Sequence, residues 1–199
     1  MYSRWHKPVL FLLCSIPFCA LVYNGITDNL TANPIKEITH FTGEWALNFL
    51  LITLSITPLR KITRKNSLIR FRRMLGLFAF FYACLHFSTY LVLDQFFDWD
   101  EIVRDVAKRP YITVGFSAFL LLIPLAVTST NKMAQRLGNN WRKLHSLIYP
   151  IAILVIFHYL WQVKADILPP VIYGLILCLL LALRWPGLKL ARISHQVMR

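Results

Sequence analysis

Three of the six histidines, His86, His145 and His158, lie inside strongly apolar stretches of the chain. Ionisable groups at membrane depth are costly and mark functional interiors. A neutral imidazole ligates transition metals, and two on facing helices suit the axial positions of haem iron. His86 ends a stripe of Gly76, Ala79, Ala83, His86 and Tyr90, whose steps of 3, 4, 3 and 4 put all five on one helix face. Small side chains there leave room for a flat macrocycle close to the backbone, or for close packing between membrane helices. His145 and His158 are 13 residues apart, ~20 Å along a helix and about 140° around it. They therefore sit near opposite membrane faces, and Pro150 between them is expected to kink or locally unwind the helix.

His86 and His158 come to a similar depth in the outer half of the membrane, where they can form one ligand pair. His145 lies at the inner level. Counting 13 or 14 residues back from His86 reaches Arg73 and Arg72, which do not ligate iron when protonated but can pair with haem propionates or simply face the headgroups. Met74 is at the membrane edge. Cys14, Cys19, Cys84 and Cys178 all fall in apolar runs and form no metal or disulfide framework. The absence of C-x-x-C-H excludes covalent haem attachment of the usual kind, and the absence of G-x-G leaves no nucleotide loop.

The elements that must position these histidines follow from hydropathy. The chain is 57% hydrophobic and 16% charged, against about 25% charged in soluble domains. Apolar runs near 8–23, 44–59, 74–93, 111–127, 144–163 and 167–183 each approach the ~20 residues that cross a bilayer. The expected fold is an all-α integral membrane protein, a single domain over 1–199, with six transmembrane helices in a bundle and both termini cytoplasmic. Span 1 could alternatively be a signal peptide, but it has no A-x-A site and contains Pro17. The connections near 24–43 and 94–110 read as outer loops, with His40 in the first of them.

Charge distribution orients the bundle. The segments around Arg4 and Lys7, Arg60 to Arg73, Lys132 to Lys143, and beyond span 6 carry 17 of the 22 basic residues and none of the nine acids. These are the cytoplasmic segments by the positive-inside rule, so the formal charge of +13 reflects topology and not nucleic-acid binding. Trp5, Trp45, Trp99, Trp141, Trp161 and Trp185 fall at or just past expected span ends, as headgroup anchors do.

A set of ordered motifs carries a resemblance: Asn33-Pro34-Ile35-Lys36, His40-Phe41-Thr42-Gly43, Ile56-Thr57-Pro58-Leu59, Arg72-Arg73-Met74-Leu75-Gly76, Leu85-His86-Phe87-Ser88-Thr89-Tyr90, Arg109-Pro110-Tyr111, Thr128-Ser129-Thr130, Trp141-Arg142-Lys143-Leu144-His145 and His158-Tyr159-Leu160-Trp161. Over about residues 33 to 164 the chain resembles the haem-binding membrane subunits of bacterial periplasmic methionine sulfoxide reductase systems, the MsrQ (YedZ) family. The resemblance implies an inner-membrane cytochrome that is itself not the catalytic subunit. It would pass electrons from the quinone pool or a cytosolic flavin reductase to the periplasmic molybdopterin-containing subunit MsrP, which repairs oxidised proteins. It also implies haem b, in one or two copies, on His86, His145 and His158, and an association with FMN for which no residue stands out. The wider ferric reductase and NADPH oxidase superfamily places two histidines on each of two helices. This chain has Arg72 or Arg73 at the fourth position, which puts a second haem in question.

Two rival readings share these residues: a stand-alone ferric or quinone-linked reductase with the same haem core, and a small transporter using the three histidines as a relay without haem. The acids from Asp94 to Asp105 and from Asp28 to Glu44 are an expected outer docking surface or ordinary solvated loops.

Overall fold

The computed structural model describes residues 6–163 and 165–184. Trp5, Trp185 and His195, and the basic residues Arg4, Lys189, Arg192 and Arg199, lie outside the described residues, as do the two chain ends whose side was expected from charge. Among the described residues the chain is entirely helical: α1 His6–Ile26, α2 Pro34–Thr63, a 3-10 turn Asn66–Phe71, α3 Arg72–Thr89, a π-helical turn Tyr90–Asp94, α4 Trp99–Lys108, α5 Pro110–Val127, α6 Asn131–Leu137, α7 Asn139–His145, α8 Ile148–Gln162 and α9 Leu168–Ala182. Four helical segments among them are long and apolar enough to cross a membrane: His6–Ile26, Asn66–Asp94, Pro110–Val127 and Asn139–Gln162. The expected second run falls within α2, which has 30 residues, and the sixth run contains α9, a shorter apolar helix of 15.

Two expectations change, and a third gains its exact place. The stretch near 24–43 is not all loop, because α2 already starts at Pro34, with the Asn33 side chain accepting from Lys36 N at 3.1 Å. Proline at the first helical position and an asparagine cap are good starting signals. His40 is therefore on a helix, and Trp45 is three turns inside it, packed between Phe41, Phe49 and Tyr82. The stretch 94–110 contains α4, capped by the Asp98 side chain on Glu101 N. The fifth run is two helices: the chain turns at Ser146 and Leu147, and Pro150 falls in the first turn of α8, where its missing N–H has no intrahelical partner to lose.

The core is built from two helix hairpins, α2 with α3 and α5 with α8, packed around Leu50, Leu54, Ala79, Leu122, Ile151 and Ala152. α1 leans on α3, and α9 closes against α8 and α2.

Two prolines tie the outer helices to this core. Near Pro17 the regular bond from Phe18 N–H to Cys14 C=O is replaced by a bridge: Phe18 N–H donates to the Tyr82 hydroxyl (3.0 Å), which donates to Cys14 O (3.0 Å). A side chain inserted into the ladder is a recognised cause of helix bending. Pro58 has no N–H for the carbonyl of Leu54, and Arg184, just past α9, donates to that oxygen while its other terminal nitrogen bonds the Tyr149 hydroxyl at 2.9 Å. Lipid offers backbone groups no partner, so a proline kink needs a substitute of this kind.

Tyr82 is fully buried and stacks on Phe49 with centroids 5.2 Å apart. Tyr82→Phe keeps the ring but strands both α1 backbone groups, and is expected to cost about 1–3 kcal/mol, read as a lower thermal midpoint in detergent than wild type.

Candidate functional site

His86 projects from α3 and His158 from α8 into one cavity of about 1000 Å³, enclosed by α2, α3, α5 and α8 and covered on one side by α4. Their ring centroids are 6.1 Å apart with the planes at 76°. Two imidazole nitrogens each at ~2.0–2.1 Å from one metal ion put ring centroids roughly 6 Å apart, so the pair has the separation that a shared ion requires.

Each ring is oriented by a backbone carbonyl. His86 Nδ1 lies 2.9 Å from Thr39 O and His158 Nδ1 2.7 Å from Tyr111 O. A carbonyl only accepts, so both Nδ1 atoms carry the proton and both Nε2 atoms keep their lone pair. This is the arrangement found behind metal-bound histidine, where the second nitrogen donates to a carbonyl or carboxylate.

The approach of each ring depends on a glycine one turn beyond the carbonyl. A Cβ on Gly43 would stand 3.1 Å from the His86 ring, and one on Gly115 would stand 2.6 and 2.7 Å from two atoms of His158. Thr39, Gly43 and His86 on the first hairpin correspond to Tyr111, Gly115 and His158 on the second, each 72 residues later. The site is thus two copies of one local design facing each other. These four helpers were not singled out in the sequence. The signal was present as a Gly to His separation of 43 residues occurring twice.

Of the stripe on α3, Ala79, Ala83, His86 and Tyr90 line the cavity. Gly76 instead faces Thr53 of α2. Small residues on both sides, including Ala118, leave a largely apolar slot, and the cavity is at the top of the ~300–1,000 Å³ range of small-molecule sites. Separation, tautomer, glycine clearance and slot together fit an iron macrocycle held by His86 and His158.

His145 is not part of this cavity. It ends α7, its ring stacked on Trp141 at 3.9 Å, and Trp141 is fixed by its indole N–H on Thr128 O at 2.9 Å. The His145 Nδ1 lies 3.2 Å from Trp141 O, while Nε2 is buried without a hydrogen-bond partner among the described residues. Arg72 and Arg73 are its charged neighbours. Arg73 donates to the Asn131 side chain, and Arg72 lies half-buried among Arg184, Arg60 and Tyr149. Neither arginine lines the His86 and His158 cavity. No group of three or more His, Cys, Asp or Glu side chains among the described residues forms a metal cluster.

Because the Gly115 contact is the tighter one, Gly115→Ala must displace the His158 ring and its bond to Tyr111. Gly43→Ala requires a shift of only tenths of an ångström. Thermal unfolding of the two variants is expected to show Gly115→Ala destabilised by about 1–3 kcal/mol and Gly43→Ala by clearly less.

Comparison with known proteins shows the family. The family model described as "Ferric reductase like transmembrane component" matches residues 10–156. The chain is 57% identical over 181 residues to the protein-methionine-sulfoxide reductase heme-binding subunit MsrQ of Herminiimonas arsenicoxydans, covering 89% of this chain and 83% of the relative. It is 55% identical over 174 residues to the subunit of the same name from Xanthomonas euvesicatoria pv. vesicatoria (strain 85-10), covering 87% and 80%. With the subunit from Xanthomonas campestris pv. campestris (strain 8004) it shares 56% over 169 residues, covering 84% and 78%. No solved structure matches. A two-hairpin membrane bundle with a facing histidine pair, matched over most of its length by these proteins, belongs to the ferric reductase-like transmembrane family, in its MsrQ branch.

Proposed function

We propose that this chain is a membrane cytochrome b, the electron-transfer subunit of a periplasmic methionine sulfoxide reductase system. It takes electrons from the quinone pool or a cytosolic flavin reductase and delivers them to a molybdopterin-containing catalytic subunit of the MsrP type, supporting repair of oxidised periplasmic proteins. The observation that carries the reading is the His86 and His158 pair, 6.1 Å between centroids and both oriented through Nδ1. The names of the relatives, which are heme-binding subunits, support it. His86 and His158 would hold the haem, which would supply reversible one-electron transfer.

The protein's own residues do the rest. Thr39 O and Tyr111 O hold the ligand rings, the surrounding α2, α3, α5 and α8 side chains exclude water, and Glu44 and Asp94 are among the residues that line the cavity. In the topology we favour, six spans cross the inner membrane with the basic segments cytoplasmic. His86 and His158 then lie in the outer half, close to the periplasmic partner. Asp98, Asp100 and Glu101 on and before α4, with Asp28 and Glu37, form the outer surface on which that partner docks. FMN remains part of the family expectation, without an assigned residue here.

A second haem at the inner level is favoured by one observation, the buried, unpartnered Nε2 of His145 beside Arg72 and Arg73. The two arginines are suited to propionates, so His145, Arg72 and Arg73 would hold a haem that would supply an entry site for electrons on the basic side.

Haem per protein, measured by pyridine haemochrome, is expected to fall by one haem in His86→Ala and His158→Ala, leaving only what His145 holds, and by at most half in His145→Ala. Unchanged haem in all three would overturn the ligand assignment, and no haem b band in the wild type would favour a relay without haem. Dithionite-reduced membranes are expected to reoxidise on addition of methionine sulfoxide only with the molybdenum subunit present. Equal ferric chelate reduction without that subunit would favour a stand-alone reductase.

A further inference from the structure

Tyr90 is the last residue of the α3 stripe, four residues beyond His86, ~6 Å outward along the helix axis. There the helix changes to a π-helical turn, Tyr90–Asp94, in which Gln95 N donates to Tyr90 O at 3.0 Å. Such turns inside α-helices concentrate at functional sites. The Tyr90 side chain lines the histidine cavity, and its hydroxyl is buried with no hydrogen-bond partner among the described residues. Buried hydroxyls almost always have one.

The charged neighbours of that hydroxyl are Asp105, Asp94 and Arg109. Asp105, 3% exposed, is already engaged: it accepts from Gln95 Nε2 at 3.0 Å and from Arg109 Nε at 3.1 Å. That clasp holds α4 over the cavity and turns Arg109, which also lines it, toward the same end. The outer end of the slot therefore holds a buried donor without an acceptor and a cation beside it. A haem on His86 and His158 brings carboxylates on its rim.

We propose that the Tyr90 hydroxyl donates a hydrogen bond to a rim carboxylate of the haem, with Arg109 as the neighbouring cation, and so acts as a positioning residue that raises the haem's reduction potential. The inference rests on the haem reading of the His86 and His158 cavity. A hydrogen bond spreads the carboxylate charge and weakens the negative field at the iron, which favours the reduced state.

The test is an optical redox titration of the full-length protein, wild type against Tyr90→Phe. Tyr90→Phe is expected to keep its haem and low-spin spectrum and to titrate at lower potential. In protein reconstituted with haem dimethyl ester, which has no carboxylate charge, the difference is expected to vanish. Coincident titrations with ordinary haem, or the same shift persisting with the ester, would overturn the proposal. If Tyr90→Phe does not accumulate, resonance Raman spectra of the wild type in H2O and D2O decide: a propionate bending band that moves on exchange supports the hydrogen bond, and one that stays overturns it. Wild type that binds no haem removes the haem reading and Tyr90 together, whereas haem-loaded wild type with an unshifted Tyr90→Phe removes Tyr90 alone.

Discussion

Two carbonyl to imidazole hydrogen bonds, Thr39 O with His86 and Tyr111 O with His158, set the conditions that the rest of the bundle meets. Each fixes a tautomer and a ring direction, and each works only if the helix supplying the carbonyl and the helix supplying the histidine stand at the right height. That requirement explains why α2 starts far out at Pro34 and why α5 starts at Pro110. It also explains the glycines, since a ring bonded to a helix carbonyl must lie flat against the next turn, where Gly43 and Gly115 present no Cβ. Ring orientation, helix height and backbone approach are one constraint expressed three times.

Holding that height in an apolar surrounding depends on how the bundle treats its broken hydrogen bonds. Pro17 and Pro58 each interrupt a ladder, and in both cases a side chain from another helix supplies a partner: Tyr82 for the turn near Pro17 and Arg184 for the carbonyl that Pro58 leaves. The consequence reaches beyond local satisfaction. A kink whose stray groups are bonded by α3 fixes α1 at one place on α3, and one whose carbonyl is bonded from the end of α9 fixes α9 on α2. Polar bonds in a membrane interior thus do the locating that hydrophobic contrast cannot provide between helices and lipid.

The two hairpins are alike where they hold the histidines and unlike elsewhere. His145 on the second corresponds by the 72-residue offset to Arg73 on the first, and the structure separates them, with Arg73 on the Asn131 side chain and His145 stacked on Trp141. At the outer end only the first hairpin continues into a π turn and α4, and the Gln95, Asp105 and Arg109 clasp holds that helix across the cavity. The symmetric half is the ligand pair; the asymmetric ends distinguish the two membrane faces.

Much of this was legible in the residues. Apolar runs marked the helices, because lipid demands long apolar segments, and depth along those runs paired His86 with His158 while setting His145 apart. The alternating steps of four and three residues through Ala79, Ala83, His86 and Tyr90 identified a face that does line the cavity. Missed were α4 and the early start of α2, whose mixed polar and apolar residues leave no mark in a hydropathy count although their caps, Asp98 and Asn33 with Pro34, were in the sequence. The interruption at Ser146 and Leu147 fits the kink or local unwinding expected from Pro150, since a proline disturbs the carbonyl four residues before it, but only the structure says which peptides give way. Period and composition determined which residues share a face and a depth. Which carbonyl meets which ring, which side chain mends each proline and what stands 3 Å from a glycine were decided by tertiary packing, because those contacts join residues tens of positions apart and leave no local pattern.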